Sequence, residues 1–240
     1  VARDVLIAIL ADLGAEPVEL GRSDIFVPVD TEAVSDETRA ALKVWAGEGG
    51  LDAIVSTDGD SDRPLLADAT GEVVPGDILG QITAEWLDVD TVVTPISSNS
   101  GVTEKGFRNV ERTRIGSPYV IAGMEAAGGR VVGYEATGPA GPLPALPTRD
   151  AVLPILAVLT SAAGDVAGRV VAEPPVVALG DRLQEIPRER MAAALATLEA
   201  DPTPLTGETP VSLDRTDGLR WTLADGRVLH VRPSGNAPEL

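Results

Sequence analysis

The fold is decided by Thr91-Val92-Val93-Thr94, a helix-patterned run from Ser117 to Ala127, and Arg130-Val131-Val132-Gly133-Tyr134. Two short apolar, β-branched runs flank a segment long enough to form a helix. That alternation predicts strands laid in a sheet and covered by helices.

Working outward toward the N-terminus, Pro75-Gly76 opens a helix to about Trp86, and Pro64-Leu65-Leu66-Ala67-Asp68 reads as a strand turned at Thr70-Gly71. Asp52-Ala53-Ile54-Val55-Ser56-Thr57 is a short buried strand. It is preceded by a helix from about Asp36 to Glu48 that stops at Gly49-Gly50. The first ten residues read as a helix already under way, ended by Gly14, with a strand starting in Glu16-Pro17-Val18-Glu19-Leu20. Asp4, Asp12 and the missing initiator Met argue against an intact signal peptide, and the chain is expected to start inside a domain.

Working outward the other way, the Pro- and Gly-rich residues 138–147 are loop chemistry at a strand end, and Thr148 is positioned to cap a helix from Asp150 through Leu159. Gly164 to Pro175 reads as a linker. Beyond it come a helix near Arg188 to Leu198 and three short strands around Val211, Trp221 and Val228, with a hairpin turn at Asp225-Gly226. The expected fold class is therefore α/β. Two successive mixed α/β sheet domains (residues 1–74, truncated, and 75–165) precede a smaller α+β domain (residues 175–240).

Composition narrows the chemistry. The core must be built from Ala, Val, Leu and Ile, because 44% of residues are hydrophobic and only 3% aromatic. With no Cys, the chain has no disulfide, thiolate metal site or cysteine nucleophile, and it suits a cytoplasmic setting. With one His, His230, no multi-imidazole zinc site can form, and its alternating surroundings read as a half-buried strand position. A net charge of −18, from 19 basic and 37 acidic residues, opposes broad binding to nucleic acid or anionic lipid. The longest apolar stretch, Ala151 to Ala163, is broken by Pro154 and is shorter than the ~20 residues of a membrane span.

Three segments carry candidate chemistry. In Thr57-Asp58-Gly59-Asp60-Ser61-Asp62-Arg63, carboxylates at alternating positions of a tight loop can converge on one point, as a hard divalent cation such as Mg²⁺ requires. A solvated acidic turn is the competing reading. An EF-hand is excluded, because Arg63 stands where its sixth-position Gly belongs and Ala69 where its twelfth-position carboxylate belongs. A haloacid-dehalogenase-like phosphotransferase, with Asp58 as nucleophile and Asp60 as acid/base, leaves Asp62 unexplained. Gly133-Tyr134-Glu135-Ala136-Thr137-Gly138 offers a carboxylate and a hydroxyl able to hold sugar hydroxyls, or is an ordinary polar loop. Arg232-Pro233-Ser234-Gly235-Asn236-Ala237-Pro238 joins a guanidinium to a Gly-containing loop able to nest a phosphate, or is a surface turn.

In this order, the three segments resemble the α-D-phosphohexomutase family of phosphomannomutases and phosphoglucomutases. Its motifs are D-G-D-G-D-R, G-E-x-S-G and R-x-S-G-T-E-P; this chain reads D-G-D-S-D-R, Y-E-A-T-G and R-P-S-G-N-A-P. The resemblance implies that Asp58, Asp60 and Asp62 bind Mg²⁺ and that Arg63 helps electrostatically. It implies that Glu135, Thr137 and Gly138 hold the sugar, while Arg232, Ser234, Gly235 and Asn236 grip the phosphate of a phosphorylated hexose. It further implies interconversion of hexose 1-phosphate and 6-phosphate through a hexose 1,6-bisphosphate, using a phosphoserine.

The chain departs from the family at Gly116-Ser117-Pro118, which lacks the usual basic residue, and at Pro139 and Ala237, which stand where His and Glu are usual. No T-x-S-H-N-P-type phosphoserine loop is found, since Ser97-Ser98-Asn99-Ser100 lacks its His and Pro. The chain is accordingly expected to be a fragment without the nucleophile, inactive by itself. A non-catalytic sugar-phosphate-binding fragment is the alternative outside enzymes.

Overall fold

The computed structural model describes residues 3–25, 27, 29–31, 33–135, 138–140 and 149–234, with residues 138–140 described for the backbone alone. They divide into two compact units, one of residues 1–112 and 116–176, the other of residues 113–115 and 177–240.

The first unit opens with α1 (Arg3–Asp12) and α2 (Asp36–Gly47). The Ser35 hydroxyl caps α2 by accepting from Thr38 N–H at 3.2 Å. The stretch expected to begin a strand at residues 16–20 has no regular structure. Val18 there is 61% exposed, so the run has no buried face to organise it.

A hairpin follows, of β1 (Ala53–Thr57) and β2 (Pro64–Asp68), antiparallel in the register Val55 to Leu66. Every β2 residue is buried because its alternating side chains enter two cores. Leu65 and Ala67 pack with Ile54 and with Leu42 and Ala46 of α2. Leu66 packs on the opposite face, with Leu79 and Ile82 of α3 (Gly76–Trp86).

β3 (Thr91–Pro95), a 3₁₀ turn (Ser100–Glu104), β4 (Asn109–Thr113), α4 (Ser117–Ala127), β5 (Val131–Glu135) and β6 (Gly138–Ala140) come next. Their sheet has the order β4-β3-β5-β6, with β3 and β5 parallel and β6 antiparallel to β5. Val92, Val132 and Tyr134 line one face, while Val93 and Val131 meet Val120 and Met124 of α4 on the other. Two glycines permit close packing. A Cβ on Gly80 would enter the Tyr134 ring, and one on Gly133 would strike Met124 and Val120.

α5 (Val152–Ala162) adds Val158 and Ala162 to the core around Leu66. Where a linker was expected, α6 (Val166–Val171) forms, capped by Asp165 through Gly168 N–H at 2.8 Å and anchored by buried Val166. Just beyond it, the Glu173 side chain is 2% exposed and meets Lys105 Nζ at 2.6 Å and Arg169 Nη1 at 2.5 Å. That pairing is what permits its burial.

The second unit contains α7 (Arg188–Ala200), α8 (Thr203–Thr206) and the antiparallel sheet of β7 (Ser212–Asp214), β8 (Leu219–Thr222) and β9 (Val228–Val231). Trp221, Leu219 and Leu223 are its buried side chains on and beside β8. His230 is a half-buried residue of β9, paired with Arg220, and its Nε2 lies 2.6 Å from the Asp217 carbonyl. Among the described residues, no helix is long and apolar enough to cross a membrane.

Candidate functional site

The acidic loop is built by the hairpin that carries it. β1 delivers the chain to Asp58 and β2 receives it at Pro64, so the intervening residues must turn back over a few positions. Asp58 stitches the turn together: its Oδ1 accepts from Asp62 N–H and Arg63 N–H, both at 3.1 Å, and its own N–H donates to the Arg63 carbonyl at 3.1 Å. Ser61 takes a left-handed φ of 68°, at the position where the D-G-D-G-D-R motif has Gly.

One carboxylate oxygen from each of Asp58, Asp60 and Asp62 lies within 4.8 Å of the others. Asp60 is exposed and the other two are half-buried. Burial pushes the Asp62 carboxyl above its ordinary range, an ion pair with Arg149 draws it down, and Asp58 and Asp60 push it up again. Asp62 Oδ1 is buried with no hydrogen-bond partner, 3.6 Å from Arg63 Nε. Crowded oxygens of this kind, one of them unsatisfied, suit a hard divalent cation. Arg63 also lies 3.8 Å from Asp58 Oδ2.

The loop joins antiparallel strands, and Asp58 is already engaged by two loop N–H groups. Both bonds fall on Oδ1, and the phosphotransferase reading still leaves Asp62 without a role.

Glu135 ends β5 at the carboxyl edge of the parallel pair, where open α/β sheets bind ligands. Its Oε1 accepts from Gly116 N–H at 2.8 Å, at the N-terminus of α4. Arg112 braces the neighbouring loop by donating to the carbonyls of Pro95 at 3.1 Å, Ser98 at 2.9 Å and Asn99 at 3.2 Å. Thr137 lies outside the described residues, and Gly138 is described for its backbone, paired with Glu135 across β5 and β6.

In the second unit, Arg232 follows β9, and its Nη1 donates to Asp217 Oδ2 at 3.0 Å. The same oxygen accepts from Ile115 N–H at 2.9 Å. Gly218, at φ 80°, lets the Asp217 turn lie against Arg232, because a Cβ there would strike the Arg232 backbone. Ser234 is half-buried beyond it, and Gly235 and Asn236 lie outside the described residues.

The structure therefore gathers Asp58, Asp60, Asp62 and Arg63 at one hairpin tip and places Glu135 at a sheet edge and Arg232 after a terminal strand. Sequence reasoning missed Arg149, Gly116 N–H and Asp217. The segment after Gly116 lacks the family's usual basic residue, and it is the Gly116 backbone N–H that reaches Glu135. The Asp217-Gly218 pair is a turn signal that could have been read, whereas no pattern links Arg149 to Asp62.

An acidic hairpin loop, an α/β/α sheet with a carboxylate at its edge and a small antiparallel module with an arginine thus follow one another along the chain. Residues 75–174 match the family model for phosphoglucomutase/phosphomannomutase, alpha/beta/alpha domain III. A phosphomannomutase of Sinorhizobium fredii is 46% identical over 100% of this chain and 55% of its own length. One of Salmonella muenchen is 40% identical over 99% of this chain and 54% of its own. The chain thus spans about half the length of these relatives. A phosphoglucomutase/phosphomannomutase family protein of Burkholderia thailandensis shares the fold, with a TM-score of 0.75 and 21% identity over 100% of this chain and 52% of that one. The chain belongs to the phosphoglucomutase/phosphomannomutase family.

Proposed function

We propose that these residues serve a cytoplasmic phosphohexomutase that interconverts hexose 1-phosphate and hexose 6-phosphate through a hexose 1,6-bisphosphate. The convergence of Asp58, Asp60 and Asp62 carries this reading, and the likeness to phosphomannomutases supports it. The three aspartates would hold Mg²⁺, which when bound supplies charge to neutralise oxygens of a transferring phosphoryl group.

The chain's own side chains account for the rest. Arg63 adds a fixed cation beside the loop. Glu135, held by Gly116 N–H, accepts from two sugar hydroxyls, with Thr137 and Gly138 completing that loop. Arg232, with Ser234, Gly235 and Asn236, binds the phosphate that is not transferred, so that either end of the sugar can face the phosphoserine supplied in the family.

The test is calorimetric titration of Mg²⁺ into the parent and Asp60→Asn. The variant removes one anionic ligand from an exposed position, and its affinity should fall with folding unchanged. An unaltered isotherm on a folded variant overturns the three-carboxylate reading.

A further inference from the structure

Asp62 has a cationic neighbour that the proposed function does not use. Arg149 Nη2 forms an ion pair with Asp62 Oδ2, and both side chains are largely withdrawn from solvent, at 30% and 21% exposed. The pairing is mechanically fixed. Asp150, the next residue, accepts from Val152 N–H at 2.8 Å and Leu153 N–H at 3.3 Å, which pins the chain where α5 starts. α5 is in turn packed through Val158 and Ala162 against Leu66 of β2. The helix and the hairpin therefore present Arg149 and Asp62 to each other from elements of one core.

The charges in the loop matter. Of the three carboxylates, Asp58 and Asp62 are met by two guanidinium groups, Arg63 and Arg149. A cation that draws on Asp62 Oδ2 must share or take it from Arg149, and the guanidinium repels that cation at close range.

We propose that Arg149 is a resident competitor of the divalent cation at Asp62: it balances the charge of the acidic loop and lowers cation affinity, so that the ion exchanges readily. The inference rests on the metal-loop reading above.

The experiment is titration of Mg²⁺ and, separately, Mn²⁺ into the parent, Arg149→Gln and Arg149→Lys, with thermal melts with and without the metal. After screening by solvent, removing the repulsion is expected to tighten binding on the order of tenfold in Arg149→Gln. The metal-free melting temperature of that variant should fall, and Mg²⁺ should raise it more than it raises the parent's. Arg149→Lys keeps the charge and should bind close to parental affinity.

Equal or weaker binding by folded Arg149→Gln overturns the proposal, because a residue that merely oriented Asp62 would weaken binding when lost. A parent that binds neither metal overturns the metal-loop reading as well, which separates the two failures. Should Arg149→Gln not fold, the Arg149 side-chain NMR signal of the parent, assigned by its loss in Arg149→Lys, decides the matter. A shift on metal addition supports competition, and an unmoved signal at metal saturation overturns it.

Discussion

Gly116 N–H donates to Glu135 Oε1 at 2.8 Å, which ties the carboxylate proposed for sugar binding to the first turn of α4. Unpaired N–H groups and the helix dipole favour an anion there. The anchor depends on backbone shape, since Gly116 stands at φ 128° and ψ 133°, a region side-chain-bearing residues avoid.

Gly116→Ala should therefore cost about 1–3 kcal/mol through backbone strain. The nearest atom to its new Cβ, in the Tyr119 ring, lies at an ordinary 3.4 Å, so strain rather than collision is the cause. Urea denaturation should show a lower midpoint at unchanged slope, together with weaker hexose phosphate binding. A parental midpoint removes the strain argument.

Asp77 should leave a pH signature of the opposite sign to an ordinary salt-bridged carboxylate. Burial raises its carboxyl above the ordinary value of 3.8, against the opposing pull of Asn99 N–H, which donates to Oδ2 at 2.9 Å, and of Ser98 and Arg112. The folded chain thus holds this proton more tightly than the unfolded chain does. Its stabilising effect is complete below the ordinary value and is lost as pH rises through the raised one. The stability of the parent minus that of Asp77→Asn should fall with rising pH from about pH 4. Parallel stability curves for the two proteins would contradict the assignment.

Arg232→Ala should weaken hexose phosphate binding by about tenfold or more, because a hydrogen bond to a charged group contributes roughly 1.5–3 kcal/mol. Mg²⁺ affinity should not change. Asp217→Asn should weaken phosphate binding less, since it keeps an acceptor for Ile115 N–H and loosens only the aim of Arg232. Calorimetry with mannose 1-phosphate and glucose 1-phosphate reads both variants. Parental affinity in Arg232→Ala would leave Arg232 a strand-end charge.

Much of the α/β alternation was legible because the strands are short, β-branched and buried: Thr91–Pro95 and Val131–Glu135 fall where their apolar runs lie. Asn109–Thr113 was not legible, since Asn, Glu, Arg and Thr surround its single apolar residue and it forms the edge of the sheet beside β3. α6 hid behind Gly164 and Gly168, though Asp165 was a readable cap. The acidic loop was legible because its ligands are neighbours in sequence. Contacts such as Arg149 with Asp62 arise only when distant elements pack, and no local pattern encodes them.

Hexose phosphate interconversion at the aspartate loop is read by ³¹P NMR of mannose 1-phosphate and glucose 1-phosphate incubated with the protein in its whole natural length, Mg²⁺ and a trace of hexose 1,6-bisphosphate. A 6-phosphate resonance should grow from at least one of the two, chelation of the metal should stop it, and Asp60→Asn should slow it strongly. No interconversion of either sugar phosphate, or turnover indifferent to Asp60→Asn, would contradict the proposed function.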